Sequence, residues 1–246
     1  MFLGCQVGAD AHVEHHDFPL GIAIKSGRPD IMAVAAILRP QLRASPFNHA
    51  SSLSVVLLLL IPKVRAGPKT GFYNLVVEPG LQLIASPLDN GQSNTVQTVL
   101  PNVPDLTALY KFTDGDYSTN TYLGGLWDYP AQTLAPGEGG FIFNTSKSSM
   151  VVTFAGDFLQ GQLTNGIPAG LALKGSMAFK AGRVNTDLGL NLAPFDNLYQ
   201  WQTNHFVVYT VLPGGGWHPS EPKVAISESF FVNSARGTNW VQSYQP

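Results

Sequence analysis

The chain carries a single cysteine, Cys5, among its 246 residues, so it can form no disulfide within itself. Charge is scarce too: 12% of residues are Asp, Glu, Lys or Arg, with a formal net charge of −2. Nucleic-acid binding needs a basic face that releases counterions, and 14 Lys and Arg against 16 Asp and Glu do not supply one. No phosphate-binding glycine loop or nucleotide fingerprint occurs. The Gly-x-Ser-x-Gly elbow of many hydrolases is also missing, since Gly175-Ser176-Met177 fails the pattern. What the chain has in quantity is 25 Gly, 18 Pro and 44% hydrophobic residues, the composition of a turn-rich β protein with a real core.

The apolar run at residues 53–61 is too short to span a bilayer as a helix. Arg39 and Arg43 precede it, and Val64-Arg65-Ala66 follows with small residues one and three before a cut. This is the layout of a secretory signal peptide over residues 42–66, cleaved after Ala66. Residues 1–41 are then a non-native or unstructured leader, with translation expected to start near Leu42. His12, Glu14, His15, His16 and Asp17 have the composition of a zinc site, but in neither the His-x-His-x-Asp-His nor the His-Glu-x-x-His order. They precede the signal peptide and are expected to be absent from the mature chain, as is Cys5. The mature protein is expected outside the cytoplasm of a bacterium, secreted, periplasmic or on the cell surface, with no transmembrane anchor.

From residue 67 on, the sequence reads as one unit written twice. Residues 134–144 (Leu-Ala-Pro-Gly-Glu-Gly-Gly-Phe-Ile-Phe-Asn) return as residues 224–233 (Val-Ala-Ile-Ser-Glu-Ser-Phe-Phe-Val-Asn). Glu138 falls on Glu228, Phe141 on Phe231, Leu83 on Leu173, Ser86 on Ser176 and Trp127 on Trp217, each at an offset of 90. Tyr110 and Tyr199, Phe112 and Trp201, and Tyr117 and Phe206 match at 89. The expected division is a first β repeat at 67–150 and a second at 151–246.

Within the first copy, β-branched and aromatic stretches at 71–78, 81–86, 107–112, 117–122, 140–144 and 149–154 read as strands. Asp114-Gly115 supplies hairpin chemistry, and residues 94–100 suit a short helix. The second copy repeats the order at 160–164, 170–174, 197–201, 206–211 and 230–233, with 185–192 in the helical place. The expected fold is all-β: two tandem, pseudo-symmetric sandwich- or barrel-like repeats with one short helix each. At about 80 residues each, the repeats are expected to share an interface or a core.

These motifs (Gly-φ-x-Leu-Ile-Ala-x-x-Leu, Tyr-x-Phe, Trp-Asp and Leu-x-Pro-Gly-Glu-Gly-φ-φ-φ-Asn, φ being an apolar residue) resemble repeats in secreted proteins of verrucomicrobia and planctomycetes. Modules with a Pro-Gly-x-Gly-Phe-Phe-Val ending in surface proteins of Bacteroidetes are similar. The resemblance covers roughly residues 71–235 and implies a module, not an activity. The second copy departs from it where Pro-Gly-Glu-Gly becomes Ile226, Ser227, Glu228 and Ser229, a turn expected to take a conformation that does not need glycine.

Several residues are candidates for chemistry. Glu138 and Glu228 form a matched acidic pair, as glycoside hydrolysis uses, though a Glu between turn glycines also serves by accepting backbone N–H bonds. Asp114, Asp116 and Asn120 place oxygens at alternate positions, as Ca²⁺ loops do, without the glycine and distal Glu of an EF-hand. Asp-Gly is equally a plain hairpin turn. Trp127, Trp217, Tyr122, Tyr129 and Tyr209 lie near expected loops, where aromatics could stack on sugar rings or plug the end of each unit. His205 and His218 are the imidazoles of the mature chain. His218, beside Gly214-Gly215-Gly216 and Trp217, could join a triad with Asp128 or Glu221 as orienter.

The reading is an exported surface or matrix module that binds carbohydrate or another envelope component without catalysis and requires no cofactor. Its alternative is a small extracellular hydrolase of an ester, lactone or glycosidic bond that uses His218 or the Glu138/Glu228 pair, with Ca²⁺ as candidate cofactor. A third reading is a purely structural block with no ligand.

Overall fold

The computed structural model describes Gly67 and residues 69–246. The leader, the signal segment, Cys5 and the His12–Asp17 cluster of the sequence lie outside the described residues. Both halves belong to one compact unit, Ile61–Pro246.

The first half contains β1 (Thr70–Val77), β2 (Gly80–Ile84), a single helical turn α1 (Val96–Val99), β3 (Ala108–Thr113) and β4 (Asp116–Leu123). It continues with β5 (Leu126–Trp127), β6 (Gly140–Asn144) and β7 (Met150–Asp157). The second half contains β8 (Gly161–Ile167), β9 (Gly170–Gly175), β10 (Gly182–Arg183), β11 (Asn197–Gln202) and β12 (His205–Val211). β13 (Trp217–His218), β14 (Lys223–Val224), β15 (Ser229–Ser234) and β16 (Thr238–Tyr244) complete it. The protein is all-β, in several antiparallel sheets.

One five-stranded sheet runs β2-β6-β3-β4-β5 and the other β9-β15-β11-β12-β13, the same order of strand types in each half. A two-stranded ribbon backs each sheet: β1 with β7 in the first half, β8 with β16 in the second. The pairing of β1 with β7, from Thr70 opposite Asp157 to Val77 opposite Met150, places the strand after residue 150 with the first half.

Side chains alternate along each strand, and this alternation builds three apolar layers. Leu109 of β3 and Ile142 of β6 point to one face, where Val77, Val152 and Phe154 of the ribbon complete a core. Leu198, Phe230 and Val232 do the same in the second half with Ile167 and Trp240. The other faces of the two sheets meet. Leu83, Phe141, Leu173 and Phe231 are buried between them, with Tyr110, Phe112, Tyr199 and Trp201 packed against this middle layer. Strands such as Phe141-Ile142-Phe143 and Phe230-Phe231-Val232 are apolar on both faces because both faces are covered.

Two details differ from expectation. The segment at 185–192 forms turns, not a helix: Leu188 N–H donates to Arg183 O (3.0 Å), and Gly189 N–H to Asn185 O (3.0 Å) with φ +74° at Gly189. Asp187 Oδ2 accepts from Arg183 N (2.8 Å) and holds the chain in that loop. The C-terminal strand β16 carries Trp240 and Gln242 inward, and its polar alternate positions hide it from a hydrophobicity reading.

Candidate functional site

The middle layer is built from reciprocal contacts. Phe112 meets Phe231 edge-on with centroids 5.2 Å apart, and Trp201 meets Phe141 at 5.4 Å. Tyr117 lies 6.5 Å from Phe231, and Phe206 lies 6.1 Å from Phe141. The backbone repeats the exchange: Ala85 N–H donates to Ser227 O (2.8 Å), and Gly175 N–H donates to Gly137 O (3.1 Å). Edge-to-face pairs of this kind each add about 0.5–1.5 kcal/mol beyond the area they bury.

The layer is open along one side. Tyr117 is 48% exposed and Phe206 40%, each two strands along its sheet from the buried Phe141 and Phe231. Leu81, Tyr110, Tyr117, Phe141, Trp201 and Phe206 are among the residues lining a groove of about 600 Å³. A second hollow of about 340 Å³ lies beside it, sharing Tyr117 and Phe206 and adding Leu171, Tyr199, Phe231 and Asn233. The volumes fall in the range of small-molecule sites, and the walls are mostly apolar with a few polar groups, as ligand sites commonly are. Leu171 also lines a third space of about 210 Å³, which Lys111, Lys174 and Glu138 border.

Both matched glutamates hold turns. Glu138 Oε2 accepts from Ala135 N (3.0 Å) and Glu228 Oε2 from Ala225 N (2.8 Å), each three residues back. The turn keeps its shape without glycine: Gly137 has φ +95° and its counterpart Ser227 has φ +65°. The expected change of conformation did not occur. The capping carboxylate and the Ala85–Ser227 hydrogen bond hold Ser227 left-handed, and its hydroxyl is buried without a partner.

The two carboxylates differ in their second partner. Lys111 Nζ donates to Glu138 Oε2 at 2.9 Å, and Thr133 Oγ1 also donates to the carboxylate. Gln200 Nε2 donates to Glu228 Oε1 at 3.1 Å. Burial raises the Glu138 carboxyl, but Lys111 and the Ala135 and Thr133 donors outweigh it and hold the group below its ordinary value. At Glu228 burial wins over Ala225 and Gln200, and the carboxyl sits above its ordinary value. Burial also dominates at Lys111, whose side chain is 11% exposed against 41% for Glu138, so the ammonium is pulled down despite its partner. Lys174 is lowered by burial first, with Glu138 opposing and Lys111 reinforcing the shift.

The other candidates fall in separate places. Trp127 (2% exposed) and Tyr122 (5%) are core residues, bonded through Nε1 to Leu100 O and through the hydroxyl to Pro101 O, so the expected ligand role does not hold for them. Trp217 and Tyr209 are half-buried against the second core. Asn120 is buried and its amide is engaged with Tyr129 and Gln132, whereas Asp114 and Asp116 are exposed. The expected cation set is therefore not assembled, and among the described residues no three His, Cys, Asp or Glu side chains converge. Asp114 and Gly115, with φ +54° and +88°, form the two-residue hairpin turn read from the sequence. Glu221 accepts from Asn185 N and from Thr186 N and Oγ1, so it caps that loop instead of orienting the exposed His218. Asp128 and His205 are exposed, and His205 Nδ1 lies 3.3 Å from Thr203 O. The exposed Tyr129 lies outside the groove lining.

The groove residues Tyr110, Tyr117, Tyr199, Trp201 and Phe206 were missed as a site, although their matched spacing was visible. The usable signal was aromatic residues on the strand face opposite the core-facing Leu109, Ile142 and Leu198.

Comparison with family models, curated proteins and solved structures gave no match.

Proposed function

We propose that this is an exported, internally duplicated bacterial module that binds carbohydrate without catalysis, on the aromatic groove between its two sheets. One observation carries the reading: Tyr117 and Phe206 stand exposed over a groove of about 600 Å³ walled by Tyr110, Phe141 and Trp201. The C–H faces of sugar rings stack on such walls, and tyrosine hydroxyls, Thr119 and Asn233 offer hydrogen bonds at the rim. The duplication is supported by the equal strand orders, the reciprocal aromatic contacts and the two capping glutamates. The export signal at 42–66 and the resemblance to secreted repeats point to the cell envelope as the place of action.

Hydrolysis by Glu138 and Glu228, or by His218, has less support. Each glutamate is engaged by its own turn and a neighbouring side chain, and Glu221 is engaged away from His218. Ca²⁺ has less support still, since Asn120 is buried and engaged with Tyr129 and Gln132.

A glycan array probed with the wild-type protein and the Tyr117→Ala and Phe206→Ala variants tests the proposal. Binding that falls at least tenfold in both variants, with unchanged melting temperature, supports it. No glycan bound, or turnover of chromogenic glycosides, esters or lactones, overturns it.

A further inference from the structure

The groove does not end at the aromatics. Leu171 lines both the hollow beneath Tyr117 and Phe206 and the neighbouring 210 Å³ crevice, which Phe112, Glu138, Lys111 and Lys174 also border. Of the six lysines from residue 69 onward, two meet here, on a stretch with eight Lys and Arg against twelve Asp and Glu.

The donors of the crevice are not used up. The Glu138 carboxylate is already engaged by Lys111, Thr133 and Ala135. Lys111 makes that one ion pair, leaving two of its three N–H donors. Lys174 is half-buried, and its one hydrogen bond is a 3.5 Å contact to Asn165 Oδ1. The remaining acid on the crevice wall is Asp114, exposed at the hairpin tip, where water screens it. Two ammonium groups thus face one satisfied carboxylate, and burial lowers both lysines, as expected for cations with too little compensation. What Lys174 lacks is a close acceptor.

We infer that the crevice receives the carboxylate of an acidic sugar, a uronate residue whose ring lies on the Tyr117 and Phe206 platform. This rests on the carbohydrate reading above and deepens it. The hollow and the crevice share the Leu171 wall, so a ring on the aromatics and a carboxylate in the crevice belong to one bound glycan. Lys174 supplies the charge-assisted hydrogen bonds, and Lys111, tethered by Glu138, supplies the field.

The test is calorimetric titration of the full protein with a uronate oligosaccharide and with the same oligosaccharide after its carboxyls are reduced to alcohols. The uronate form is expected to bind at least tenfold more tightly. That preference should vanish in Lys174→Gln, survive in Lys174→Arg, and shrink as salt is raised. Equal affinity for the two forms, or a preference untouched by Lys174→Gln, overturns the carboxylate assignment and leaves glycan binding standing. Binding of neither form, in a protein that captures no glycan on the array, removes both. Loss of folding in Lys174→Gln is detected by its melting curve, and Lys174→Arg then decides: a preference retained supports the assignment, one abolished contradicts it.

Discussion

In the first half the turn-capping carboxylate, Glu138, faces the ammonium of Lys111; at the matching place in the second half Glu228 faces the amide of Gln200. The backbone task is the same in both turns. The charge is not, and the carboxyls move in opposite directions, Glu138 down and Glu228 up. The capping role therefore needs only an acceptor. The lysine is found at this place in the first half alone, and it is one of the two lysines of the crevice beside the groove.

The comparison can be broken most severely at the turn itself. A side chain at Gly137 would place its Cβ 2.9 Å from Asn165 Nδ2 and 2.9 Å from Met177 Cγ, at φ +95°. Gly137→Ser, the residue the second half tolerates, is expected to cost about 2–4 kcal/mol in chemical denaturation. Next comes Glu138→Gln, which leaves Lys111 buried without a counter-ion. Discounted for the partial exposure of Glu138, the expected loss is about 1–2 kcal/mol, and Glu228→Gln should lose less. In the stabilising direction, Ser227→Gly removes both a left-handed non-glycine residue and a buried, unpartnered hydroxyl. It should gain about 1 kcal/mol, read as a rise in melting temperature.

The smallest effect is in pH and has opposite signs in the two halves. Glu138 is depressed, so its contribution is complete above the ordinary value of 4.5 and is lost as pH falls through its lower folded value. Glu228 is raised, so its contribution is present below 4.5 and is lost as pH rises through its higher folded value. Stability measured at several pH values between 3 and 7 (about one unit apart) should show Glu138→Gln falling further behind the wild type as pH rises. Glu228→Gln should draw level or move ahead. Parallel profiles would mean that the two carboxyls have the same environment.

Much of the architecture was legible because strand alternation and turn chemistry are local. Asp114-Gly115 announced its hairpin, and Gly140–Asn144 announced the strand that became β6. The second hairpin has Thr203 and Asn204 left-handed, at φ +47° and +65°; asparagine suits that conformation, and cross-strand pairing holds the β-branched Thr203 in it. The site was less legible. Tryptophans near glycine loops allowed two roles, platform or plug, and Trp127 fills the core, because burial depends on which sheet covers the loop. Tyr117 and Phe206 looked like strand residues and nothing more. Their exposure follows from how two sheets meet, which no local pattern contains.

The central claim is that ligand sits on the aromatic layer between the halves. The most direct test is NMR mapping of aromatic side-chain resonances as the best glycan from the array is titrated in. Binding at the groove predicts shifts at Tyr110, Tyr117, Phe141, Trp201 and Phe206, with Trp127 and Trp240 unmoved. Shifts confined to Trp217, Tyr209 and the loop around His218 would contradict it and move the site to the far edge of the second sheet.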